Sequence, residues 1–263
     1  MIRTATIADL PRLIELFARA NDTPYDLPRV AGEKCFGPGL TGQPVTRVWG
    51  DFEGAAVTCG RYLRLLAVDR ERRRSGIGSA LLHDAVALGT AVVGAEPGNY
   101  FTPGAPLETS AFFRALGFRE SDSTENMDAD LAGITAAGRR ATAGDRERVL
   151  EFAERNFSAA WRFECESAFA NTPPTVFIAE EAGAIAGFAA HEANNRGLGF
   201  FGPTGVAESL RGRGIGRQLL LASLADLRRL GYHRAVIPWT DAIEFYQKSC
   251  GAVRAGRFVM LKR

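Results

Sequence analysis

The chain has 263 residues, 46% of them hydrophobic and 24% charged, with a formal net charge of +2 at neutral pH. That charge excludes a polynucleotide-coating protein, and the apolar content excludes a disordered one. The length points to two domains of roughly 100–150 residues each.

Residues 1–6 lead directly into an amphipathic pattern without an apolar leader and cleavage site, so no signal peptide is expected, and no run approaches a membrane span. Asp9 reads as the N-cap of a helix that buries Leu13, Leu16 and Phe17. A strand ends at residues 65–68. The basic run Arg70, Arg72, Arg73 and Arg74 then leads through Gly76 and Gly78 into a helix. Its core face is Leu81, Ala85 and Leu88, at i, i+4 and i+7, and Gly89 suits its C-terminal cap. A short apolar strand at 91–93, a rigid aromatic loop at 96–106, a last helix through Phe113 and a final strand complete the stretch. The Gly/Ala-rich residues 131–138 carry little to pack and mark a boundary, giving domains 1–132 and 133–263.

The pattern then starts again. Ala5-Thr6-x-x-Asp9-x-x-Arg12 returns as Ala141-Thr142-x-x-Asp145-x-x-Arg148, and Arg73-x-x-Gly76-Ile77-Gly78 returns as Arg211-x-x-Gly214-Ile215-Gly216. Asp145 caps a helix burying Val149, Phe152 and Ala153. Strands at 176–179 and 185–189 flank the turn Glu181-Ala182-Gly183, and a further strand ends at Gly205-Val206. The helix after the second turn buries Leu220, Leu224 and Leu227 and stops at Gly231; a strand at 235–237 and a last helix follow. Each copy is thus α/β (α+β), a mixed sheet with helices against it.

Glycines between a strand and a helix expose backbone N–H groups where the helix dipole also favours an anion. A Walker loop would need a lysine that neither turn has, and a dinucleotide fingerprint would need a small residue where Leu81 and Leu219 stand. The pattern Val-x-x-x-x-Arg-x-x-Gly-x-Gly, at 68–78 and 206–216, resembles the coenzyme A pyrophosphate loop of GNAT N-acetyltransferases. The resemblance implies acetyl-CoA as cosubstrate, held by Val68, Arg73, Arg74, Gly76 and Gly78 in the first copy. In the second it implies Val206, Ala207, Arg211, Gly212, Arg213, Gly214, Ile215, Gly216 and Arg217. It also implies a strand that splays from its neighbour, with the N–H groups of Val68 and Val206 polarising the thioester carbonyl. No metal is expected, since the cysteines lie far apart and the histidines fall at no ligand spacing. The cysteines read as reduced and the protein as cytoplasmic.

Acyl transfer to an amine needs a proton for the leaving thiolate, and a tyrosine is matched to give it. By the same resemblance that donor is Tyr246, in the last helix of the second copy; in the first copy Phe113 stands there and cannot donate. The second copy is therefore expected to be catalytic, and the first either to bind coenzyme A without chemistry or to shape the cleft. Glu192, His191 and Asp241 are candidates for the general base on position alone. The aromatic loop at 96–106, the stretches 200–206 and 238–241 with Trp239, and the Phe245-Tyr246-Gln247-Lys248 run look like bacterial tandem acetyltransferases acting on glucosamine units. An aminoglycoside or other small amine, and a non-catalytic acyl-CoA sensor, are the competing readings. The expected partner is a small-molecule amine, with no nucleic acid or membrane, on a monomer or homodimer.

Overall fold

A computed structural model describes residues 1–263. It divides into two compact units, one of residues 1–124 with 257–263 and the other of 125–256. No helix is long and apolar enough to cross a membrane.

In unit 1 the chain runs β1 (Ile2–Thr4), α1 (Leu10–Ala20), α2 (Ala31–Phe36), β2 (Val45–Trp49), β3 (Gly54–Cys59) and β4 (Tyr62–Val68). It continues through α3 (Ile77–Ala87), β5 (Val92–Val93), β6 (Ala105–Pro106), α4 (Ser110–Ala115) and β7 (Arg119–Asp130), whose last six residues lie in unit 2. Strands β1 to β4 form an antiparallel meander, and β4 is joined to β5 in parallel by only two residue pairs, Tyr62↔Val92 and Leu63↔Val93. One core cluster unites Leu81, Leu82 and Ala85 of α3 with Ala56, Leu63 and Phe113.

Unit 2 adds β8 (Arg139–Arg140), α5 (Arg146–Asn156), α6 (Ala159–Phe169), β9 (Val176–Glu181), β10 (Ala184–His191), β11 (Phe201–Val206) and α7 (Ile215–Arg229). Then come β12 (Arg234–Thr240), α8 (Ile243–Cys250) and β13 (Val253–Lys262). The hairpin between β9 and β10 turns through Ala182 and Gly183, both at positive φ (50° and 80°), the backbone that a two-residue turn between twisted strands requires. On α7, Leu220, Leu224 and Leu227 are wholly buried. Each such leucine contributes about 2 kcal/mol of apolar burial.

Asp9 and Asp145 stand at the N-cap positions of α1 and α5, and each also reaches back to the N–H of Thr6 or Thr142, closing a capping box on the short turn that leads into the helix. Leu88, read as core from the sequence, is exposed, because α3 ends at Ala87. The compact units divide at 124/125, and the end of β13 returns to unit 1, where Leu261 and Lys262 pair with Val93 and Val92. Sheet pairing is non-local, so a low-complexity stretch does not reveal which unit a distant strand completes.

Candidate functional site

In unit 2, β11 and β12 approach in parallel but meet only at Phe200↔Val236, where the Val236 N–H donates to Gly199 O at 2.9 Å. Beyond that point β11 stays with β10, while β12 pairs with residues 125–130 of β7. A gap opens between them. The Ala207 N–H donates to Ala186 O at 2.9 Å, toward β10. Strand geometry alternates, so the N–H of Val206 faces the gap.

The turn from β11 to α7 has Gly212 and Gly214 at φ of 80° and 81°. A side chain there would strain the backbone, although space is open around both. Arg211 braces the turn, its Nε donating to Val206 O at 3.3 Å. Arg213 is paired with Glu181 at 2.8 Å, and Arg217 is exposed on the first turn of α7. Gly187, paired with Val206 across β10 and β11, sets how closely α7 packs: a Cβ there would meet Gly205 O at 2.8 Å and Leu219 Cδ1 at 3.2 Å. The turn thus presents N–H groups at the start of a 15-residue helix, an arrangement suited to a diphosphate.

Tyr246 lies on α8, 7% exposed, with its ring edge-to-face on Phe201 and beside Phe245. Phe245 itself leans toward Gly216. Burial pushes the Tyr246 phenol well above its ordinary range. At neutral pH the proton is therefore on the oxygen, where a donor needs it.

Of the base candidates, Glu192 does not stand free. Its carboxylate accepts the N–H groups of Gly197 and Gly199 and the hydroxyl of Tyr232, and so pins the loop after β10. His191 is fully buried, with Nε2 2.9 Å from Asp226 Oδ2. Burial raises the Asp226 carboxyl, but His191 and Arg140 more than offset it and hold the group at about 2. Both are parts of a structural network that a residue-by-residue reading of the sequence misses. Asp241 is exposed in the bend between β12 and α8.

Unit 1 repeats the backbone. The Asp69 N–H donates to Glu53 O at 2.9 Å, which directs the Val68 N–H toward the gap beyond Leu63↔Val93. Arg74 and Gly76 take the positive φ values, 62° and 85°, so an arginine stands where unit 2 has Gly212. The guanidinium of Arg73 is occupied by Val68 O, Ala20 O and Asp22, which makes it a brace rather than a free phosphate ligand. The gap is a cavity of about 800 Å³ that reaches from Arg74 and Gly76 past Val68 and Phe112 to Arg64 and Glu96. Those last two form a buried ion pair, Arg64 Nε to Glu96 Oε2 at 2.8 Å, beside buried Lys34. Phe113, also buried, occupies the place of Tyr246.

Residues 146–252 match the Acetyltransferase (GNAT) family. Unit 2 carries a GNAT domain. Members of this family are acetyltransferases. Similar solved structures cover the whole chain. A GCN5-related glucosamine N-acetyltransferase region of a fungal multi-domain beta-N-acetylglucosaminidase superposes with a TM-score of 0.82 at 17% identity. The chain spans 38% of that protein's length. A GCN5-related N-acetyltransferase from Sphaerobacter thermophilus gives 0.71 at 18% identity, covering 100% of this chain and 95% of that one. A tandem GNAT protein from the clavulanic acid biosynthesis pathway gives 0.70 at 20%, covering 100% and 98%. At these identities the likeness is one of fold, and it extends the GNAT-like architecture to both units. A comparison with curated proteins finds no match.

Proposed function

We propose that the chain is an acetyl-CoA-dependent N-acetyltransferase that acylates a primary amine of a small molecule, with its chemistry in unit 2. Three features of unit 2 support this reading: the Val206 N–H turned away from β10, the glycine turn before α7, and the protonated phenol of Tyr246, whose ring packs on Phe201 of β11. The turn would hold the diphosphate, the Val206 N–H would polarise the carbonyl, and Tyr246 would supply the proton to the leaving sulfur. With Glu192 committed to its loop, an amine that enters neutral needs no strong base from the chain.

Unit 1 is read as a coenzyme A-binding module without turnover. It keeps the turn, the inward N–H and an open cavity, but has Phe113 in place of the donor. A glucosamine-type amino sugar is the proposed acceptor. Trp239, 37% exposed at the end of β12, offers an aromatic face for a sugar ring, and one protein of similar fold is described as a glucosamine N-acetyltransferase region.

The test is thiol release from acetyl-CoA against glucosamine, its short oligomers, an aminoglycoside, a polyamine and a lysine peptide. Release with the amino sugars alone supports the full reading. Release with another amine alone overturns the acceptor but not the reaction. Tight acetyl-CoA binding with no release from any amine makes the chain a sensor.

A further inference from the structure

Strand β12 turns one side chain outward against its own pattern. Ala235 and Ile237 are buried in the core of unit 2. Side chains alternate along a strand, so in a regular strand residue 239 would follow them inward. Instead Trp239 is 37% exposed, and Thr240 is the buried residue. The pairing with β7 gives the reason. Ile237 lies opposite Met127 and Thr240 opposite Glu125, so Pro238 and Trp239 together face Asn126 alone, a β-bulge. Pro238 has no N–H to give to the ladder. The Trp239 N–H goes to a side chain rather than to the β7 backbone: it donates to Asn126 Oδ1 at 3.0 Å, and Asn126 is fully buried. Trp239 itself holds φ at 49°, in the left-handed region that a residue with a bulky side chain rarely adopts. Such strain persists only where the surroundings hold it, and the Asn126 amide supplies that hold.

We infer that Asn126 is a positioning residue for the acceptor: by fixing the bulge it keeps the Trp239 ring turned out of the core, as a platform for the apolar face of a sugar ring. This rests on the reading of unit 2 as an amino-sugar N-acetyltransferase. Asn126 is buried and acts through Trp239 rather than on the substrate. A tryptophan serving only to pack would gain by following Ala235 and Ile237 inward, with neither bulge nor strain. An aromatic ring held outward at a backbone cost is suited to recognition, since its face is kept ready for a ligand. Asp241, exposed two residues later, places a hydrogen-bond acceptor on the same short segment, which suits a ring that carries hydroxyl groups.

The test uses the full chain and a short glucosamine oligomer as acceptor. In thiol release from acetyl-CoA, Trp239→Ala raises KM for the oligomer roughly tenfold, with kcat and KM for acetyl-CoA near wild type. Trp239→Phe, which keeps an aromatic face, stays within about threefold. Asn126→Leu, which cannot accept the N–H, raises the oligomer KM about fivefold, whereas Asn126→Asp, which still accepts it, stays within about twofold. In a Trp239→Ala background Asn126→Leu has no further effect on that KM. Should Asn126→Leu not fold, Asn126→Ser, whose shorter side chain withdraws the acceptor, takes its place. Binding without turnover is read from tryptophan fluorescence: the oligomer shifts the wild-type emission, the shift is lost in Trp239→Phe, and the Asn126 variant reduces it. The inference is overturned if Trp239→Ala leaves the oligomer KM unchanged, if both KM values rise together, if aspartate fails to rescue, or if the Asn126→Leu effect persists without the tryptophan. A wild-type chain that releases no thiol with any amine, or releases it only with amines that are not sugars, overturns the underlying reading. The fluorescence then decides separately: an absent shift overturns the inference too, and a shift that depends on Asn126 upholds the positioning role.

Discussion

Each unit begins with a Thr/Asp capping box, pairs a glycine with the valine before its turn, and opens two parallel strands beyond a minimal bridge. Gly54 lies opposite Val68 as Gly187 lies opposite Val206, and a Cβ on Gly54 would strike Ile77 at 2.8 Å. What differs is the aromatic residue on the last helix of each unit and the groups around it. Unit 2 has the phenol of Tyr246 packed on Phe201 and Phe245; unit 1 has Phe113, with Arg64 and Glu96 linking β4 to the loop after β5. Under the proposed function, the comparison teaches that the frame for holding an acyl carrier and the group that completes the reaction are separable, and that the frame persists where the group does not.

The largest effect expected from breaking this comparison comes from the proton donor. Tyr246→Phe makes unit 2 resemble unit 1 and should lower kcat roughly a hundredfold to ten-thousandfold. Acetyl-CoA affinity, read by calorimetry, should stay near wild type. Loss of binding instead would make Tyr246 a structural residue.

Next in size is the ion pair found in unit 1. Glu96→Gln leaves the Arg64 guanidinium buried without its counter-charge and should destabilise unit 1 by about 3 kcal/mol, seen as an earlier unfolding transition in urea. Turnover measured well below that transition should be unaffected. An unchanged transition would mean that the pair does not hold the cavity floor.

Unit 2 has its own buried charge, Asp226. Its folded pKa of about 2 lies below the ordinary carboxylate value of about 4, so its stabilisation is fully present above pH 4. It is lost as the pH falls through 2, and amounts to about 2 kcal/mol. An unfolding series from pH 5 to 2 should show this slope in wild type and not in Asp226→Asn. An identical slope in both would assign acid sensitivity to other carboxylates.

The smallest effect should be equal in the two units. Thr6→Ala and Thr142→Ala each remove the hydroxyl of a capping box and should cost about 1 kcal/mol. A large inequality between them would show that the two helix starts are not equivalent.

Much of this was legible in the sequence because it is carried by local patterns. The repeat, the two turns, the α3 and α7 cores and the contrast of Tyr246 with Phe113 depend on spacing and residue type within short windows. The buried networks do not. Arg64 sits between Leu63 and Leu65 in a strand, where an isolated charge looks like an outward-facing residue, and only its pairing with Glu96, 32 residues later, explains it. Glu192 looked available for catalysis because its partners, Gly197, Gly199 and Tyr232, are recruited by a loop at positive φ that no periodicity announces. Helix α6 was also missed, its boundary set by Ser158, whose hydroxyl accepts the Trp161 N–H.

The central claim is that unit 2 performs the transfer and unit 1 does not, and matched carboxylates at the two turns test it most directly. Gly216→Glu and Gly78→Glu each place a negative charge beside the first turn of α7 or α3, where a Cβ meets its neighbours only at ordinary contact distance. Thiol release from acetyl-CoA and the number of acetyl-CoA molecules bound per chain would be measured for both. The account predicts that each variant binds one molecule fewer, and that turnover is lost in Gly216→Glu and retained in Gly78→Glu. Loss of turnover in Gly78→Glu with retention in Gly216→Glu would contradict it.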